Sequence, residues 1–139
     1  MASVLKVDTI TGVTTAGSIS VTGEGNSTTT NLQQGLAKVW MNAPAAKNSI
    51  NDSLNVSSLD DDGTGDFGVH YTNDFASTNY CFAPGVDDGG TTTAVIGCDG
   101  TNGSYATGSA DFETFFVNTG NNRSNVDQYS FLMFTGDLA

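Results

Sequence analysis

Apolar and polar positions alternate in short runs along most of this chain, with a period of two. Phe67, Val69 and Tyr71 alternate with Gly68, His70 and Thr72, the pattern of a half-exposed strand. Similar runs predict strands over Ile50 to Leu59, Asp66 to Thr72, Asn79 to Ala83, Thr91 to Cys98, Asp111 to Asn118 and Val126 to Thr135. Turn-forming clusters separate them: DDDGTG at 60–65, PGVDDGG at 84–90, DGTNG at 99–103 and TGNN at 119–122. Phe112 to Val117 and Tyr129 to Phe134 carry large apolar residues at both parities. Each is therefore expected to be covered on two sides, within a sandwich or at a subunit interface.

The N-terminal pattern is thinner. Val4 to Ile10 and Ser18 to Thr22 predict two short strands whose apolar members are Val4, Leu5, Val7, Ile10, Ile19 and Val21. A two-stranded unit is marginal in water, so this arm must bury those side chains against copies of itself or another protein. Thr28 to Gly35 reads as a turn or one short helical stretch, capped by Thr30 or Asn31 and ended by Gly35. Leu36 to Ala43 could continue that helix, with Leu32, Leu36, Val39 and Trp40 on one stripe. Gly35 and Pro44 favour a strand instead, with Trp40 on one face and Val39 and Met41 on the other. Leu32, Leu36, Val39 and Trp40 are the candidate self-association residues.

Composition sharpens this picture. Ser, Thr, Asn and Gly make up 62 of 139 residues, while Glu occurs only twice. Thr favours strands and Asn, Asp, Gly and Ser favour turns, which excludes a helical bundle and predicts an all-β fold. The expected organisation is an extended arm over residues 1–30 followed by a small antiparallel β-sandwich or jelly-roll-like module over 31–139. All eight Phe lie in that second part, and the first aromatic residue is Trp40. Four basic side chains at a net charge of −11 cannot neutralise many phosphates, so nucleic acid is not an expected partner. No apolar run approaches the ~20 residues of a membrane span, and no signal-peptide core opens the chain.

Little catalytic chemistry can be assembled. His70 is the only histidine and lies on the polar face of its strand. No G-x-S-x-G elbow or phosphate-binding loop accompanies it. Cys81 and Cys98, in neighbouring strands, lack zinc-site spacing and are expected as buried thiols, with a cross-strand disulfide as the alternative. Asp60 to Asp66 imitates the start of a calcium loop, but Tyr71 stands where a bidentate Glu is needed. An acidic hairpin turn is the simpler reading. The expectation is no enzyme, no metal and no cofactor.

The opening SVLKVDTITGVTTAGSISVTGEGNSTTTNLQQGLAKVW resembles the N-terminal part of small fibre and appendage proteins of marine tailed bacteriophages, of the cyanophage and pelagiphage type. NDSLNVSSLDDDGTGDFGVHYT is similar to the stretch with which their β-rich module begins. The resemblance covers roughly residues 3–72. Asn51 and Leu54 depart from the Arg and Phe of that pattern, and MNAPAAKNS at 41–49 replaces its turn. It implies a virion structural protein, made in the host cytoplasm and acting as a homotrimer. The expected partner is the major capsid protein, reached through the arm, because a chain of this length suits capsid decoration or a short head fibre. The alternative is a short tail fibre or fibre tip, held by tail or baseplate proteins. Loops at 84–90, 99–103 and 119–123 would then contact host surface glycan through Asp87, Asn102, Asn122 and Arg123.

Overall fold

The computed structural model describes residues 4–12, 19–22, 29–87, 94–98, 105–117 and 120–139. The chain forms two compact units, Met1–Leu36 and Ala37–Ala139. In the first, β1 (Ser20–Thr22) pairs antiparallel with β2 (Thr29–Asn31), with Val21 opposite Thr30. The Leu32 N–H donates to the Ile19 carbonyl at 2.8 Å and extends that ladder. One helical turn, α1 (Leu32–Gly35), follows. Two expectations need correction here. Residues 4–12 form no strand, because alternation alone cannot stabilise a strand without a neighbour to complete its hydrogen bonds. Thr29–Asn31, read as turn or helix, is extended because β1 supplies that neighbour.

The second unit is all-β. Its strands are β3 (Val39–Ala43), β4 (Asp52–Leu54), β5 (Val56–Gly63), β6 (Asp66–Tyr71), β7 (Cys81–Val86), β8 (Ala94–Cys98), β9 (Ser109–Val117), β10 (Arg123–Asn125) and β11 (Ser130–Thr135). They build two antiparallel sheets in a sandwich-like arrangement, as the composition predicts. Sheet I has the order β4–β3–β11–β7. Sheet II is centred on β9. Strand β8 lies opposite Phe112 to Phe116 of β9, β6 opposite Ser109 to Glu113, and β10 opposite Phe115 to Val117. A strand has two edges, and β8 shares partners with both β6 and β10. Hence β6 and β10 lie end to end along the other edge of β9, with β5 beyond β6.

Thr114 makes that end-to-end junction. Its N–H donates to the Gly65 carbonyl at 2.6 Å, and its carbonyl accepts from the Val126 N–H at 3.0 Å. The buried Thr114 hydroxyl bonds the Gly65 and Val126 carbonyls as well. Gly65 has φ +71°, and a Cβ there would stand 2.3 Å from the Thr114 carbonyl oxygen, so only glycine fits.

Two predicted strands are each divided between sheets. Ile50 to Leu59 breaks at Asn55, which has φ 59° and exchanges hydrogen bonds with Asn73. That corner carries the chain from β4 in sheet I to β5 in sheet II. Val126 to Thr135 likewise begins beside Thr114 in sheet II and becomes β11 of sheet I.

Between the sheets, Val39, Met41, Leu132 and Phe134 face Phe67, Val69, Tyr71 and Phe112, all buried. Phe75 and Tyr80 stack at 4.3 Å between ring centroids and join this cluster. The Tyr80 hydroxyl donates to the Ala106 and Ser109 carbonyls, so the aromatic core keeps its polar atoms paired.

Candidate interaction surfaces

Three places stand out on the described residues: an uncovered arm, an uncovered sheet face and a buried lysine. In the arm, Val4 and Leu5 are 75% and 81% exposed, and Val7, Ile10 and Val21 are also exposed. Ile19 is half-buried. No helix among the described residues is long and apolar enough to cross a membrane. Of the candidate self-association residues, Leu36 is exposed, while Leu32 and Trp40 are half-buried. Val39 is fully enclosed in the core of its own unit, so its side chain is not presented to a partner.

The strand reading of Trp40 holds in the geometry: Val39 and Met41 point into the sandwich and Trp40 points out. Register then aligns Leu54, Trp40, Met133 and Ala83 in one row across the outer face of sheet I. Asp52, Asn42, Phe131 and Gly85 form the next row. Tyr129 continues the alternation of β11 at 45% exposure, with Phe131 at 42% and Met133 and Leu54 at 46%. Both strands expected to be covered on two sides therefore bury one face only within the chain. The apolar residues of both parities near Tyr129 to Phe134 were the signal for this face. Leu54 and its alignment with Trp40 could be found only from the register.

The outer face of sheet II is different in kind. Asp111 and Glu113 alternate with the buried residues of β9, and Gly68 stands opposite both Asp60 and Asp111. His70 Nε2 lies 2.6 Å from Asp60 Oδ2. Arg123 pairs with Glu113, and its guanidinium sits 4.1 Å from the Phe115 ring centroid. The acidic run expected as a turn is mostly strand: Asp60 to Asp62 stand in β5, and the turn itself is Thr64 and Gly65. Among the described residues no group of three His, Cys, Asp or Glu could hold a metal ion.

Of the expected contact loops, residues 88–90, all of 99–103 and residue 119 lie outside the described residues. Ala94 lies opposite Phe116 and Cys98 opposite Phe112, so the chain enters β8 at the far end of β9 and leaves it at the near end. Asp87 directly precedes the connection into β8, and Asn122 and Arg123 lie by Val117, at that far end. Asn102 lies outside the described residues. The cysteines also need correction. Cys81 is exposed on the edge strand of sheet I and Cys98 half-buried in sheet II, both as free thiols. They do not occupy paired strands, because the chain changes sheets between β7 and β8. Burial pushes the Cys98 thiol above its usual value, partly offset by a hydrogen bond with Tyr105.

Lys47 was not foreseen. A single lysine in a loop ordinarily reads as exposed, yet this one is 3% exposed with φ 49°. Its ammonium donates to the Pro44, Ala45 and Gln128 carbonyls and lies 4.7 Å from the Phe67 ring centroid. Burial lowers its pKa to about 8, against the opposing attraction of Asp127 and Asp61. Two of these carbonyls close the 44–47 loop on itself, and that of Gln128 ties the loop to the crossover before β11, so the amine makes a structural tie.

The chain matches no protein-family model, no curated protein and no solved structure.

Proposed function

We propose that this chain is a structural protein of a bacteriophage virion, a capsid-decorating or short head-fibre protein. Its N-terminal unit anchors it, and its β-sandwich module projects from the particle as part of a homotrimer. The supporting observation is the exposure of Val4, Leu5, Val7 and Ile10 in a segment that forms no strand of its own. Four apolar side chains in so short a segment are costly to leave in water, and each gains roughly 1.5–3 kcal/mol on full burial. A second subunit is the natural place for them. The resemblance of residues 3–72 to phage fibre and appendage proteins points the same way. So does an acidic surface, which keeps dense particles soluble and mutually repulsive.

Particles assembled with full-length chain carrying Leu5→Asp and Ile10→Asp test the reading. The variant should fold normally and fail to incorporate. Normal incorporation would overturn the anchoring role, and finding the protein only on the tail would favour the glycan-binding tail-fibre alternative.

A further inference from the structure

We infer that the outer face of sheet I, centred on Trp40 and Met133, is where copies of this chain meet, each copy of the homotrimer turning this face toward the shared axis. The inference deepens the virion reading by naming where copies meet, and it rests on that reading only for the expectation that they meet.

Charge selects the occupant. The chain carries −11 overall, so two copies repel unless they approach through a surface poor in carboxylates. On sheet II, Arg123 pairs with Glu113 and His70 lies against Asp60, but Asp60 and Asp111 flank Gly68 on the same face, so pairing through it would still bring carboxylates together. Sheet I presents Leu54, Trp40, Met133, Ala83, Asn42, Phe131 and Gly85, with Asp52 as the one carboxylate in its two rows, at the β4 edge. A central patch of Trp, Met, Phe and Tyr with charge at its margin is the composition of an interface core. A basic partner would find no carboxylate cluster here to pair with, whereas the face is self-compatible.

Area sets the strength. Leu54, Tyr129, Phe131 and Met133 are each between 42% and 46% exposed. With the half-buried Trp40 they leave about 400 Å² of largely apolar surface, taking ~200 Å² per large side chain. That is within the ~300–600 Å² typical of a functional patch and about half of the ~800 Å² per partner that a firm interface buries. The face alone therefore supports weak, concentration-dependent association. Firm assembly requires the additional contacts of the arm.

Sedimentation of the full chain from micromolar to near-millimolar concentration, read alongside tryptophan emission, tests this. Trp40 is the only tryptophan, so its spectrum reports directly on whether the face is covered. Mass should rise with concentration, and the emission should shift to the blue in step. Met133→Glu should weaken association by at least about tenfold. Val95→Glu, at an exposed position on β8 of sheet II, should leave it unchanged. Circular dichroism checks that both variants remain folded, and the wild-type emission shift needs no variant. A monomer at every concentration would overturn the inference. So would unchanged association of Met133→Glu, which would place the contact elsewhere, as on the arm. A monomer that still incorporates into particles would defeat this interface while leaving the virion reading intact.

Discussion

The two units of this chain treat apolar side chains in opposite ways. In Ala37–Ala139, Val39, Phe67, Phe112 and Phe134 are fully buried between two sheets. In Met1–Leu36, Val4, Leu5, Val7, Ile10 and Val21 are exposed. The difference lies in how many strands each has available. Among the described residues nine strands close a sandwich around their apolar faces, whereas β1 and β2 form one narrow two-stranded ladder. Cohesion in the larger unit is internal. In the smaller one those apolar side chains stay exposed, and the proposed anchoring role would bury them. The outer face of sheet I repeats the second situation on a smaller scale within the well-packed unit.

The largest effect that would break this contrast concerns stability. Phe134→Ala removes a ring that packs against Tyr71, Phe82 and Phe112, and should cost about 3–5 kcal/mol. Leu5→Ala should change stability by less than about 0.5 kcal/mol, because that side chain is already in water. Urea denaturation of the two variants checks the pair. Comparable losses would mean that the arm is part of the folded core.

A smaller effect follows from Lys47, which only the larger unit could bury. Its folded pKa of about 8 lies below the ordinary lysine value of 10.5. Between those values the unfolded chain holds a proton that the folded chain has released, so stability rises as pH increases through this window. Below pH 8 the charged amine opposes folding by the full amount. Tyrosines act in reverse at higher pH: burial raises Tyr71 and Tyr80 and takes Tyr105 to about 12, so stability falls above pH 10. Lys47→Met should flatten the rise between pH 8 and pH 10 relative to wild type, measured by denaturation at each pH. An unchanged rise would show that Lys47 is not its source.

Alternation made much of the fold legible. Asp66 to Thr72 was readable as a strand from the alternation of Phe67, Val69 and Tyr71 with Gly68, His70 and Thr72, and Asp111 to Asn118 from a short apolar run bounded by turn signals. Sheet exchange was not readable, since Ile50 to Leu59 looks continuous until Asn55 takes a left-handed turn fixed by the distant Asn73. Pro84 and Gly85 carried turn signals yet lie inside β7. At a sheet edge the missing proline N–H breaks no ladder bond when it faces away from β11. The Asp run carried the same turn signal but stands in the edge strand β5, where charge discourages unwanted strand pairing. Of the candidate surfaces, the arm was legible as apolar residues without a core. Row alignment on sheet I depended on register, and the burial of Lys47 on the Gln128 carbonyl brought from 81 residues away.

Side-chain footprinting with hydroxyl radicals, on the free chain and on purified particles, compares the two units most directly. Val4, Leu5, Val7 and Ile10 should react in the dilute free chain and become protected in the particle, together with Trp40 and Met133. Phe67 and Phe112 should be protected in both states. Equal labelling of the arm in free chain and particle would contradict the claim that another subunit covers it.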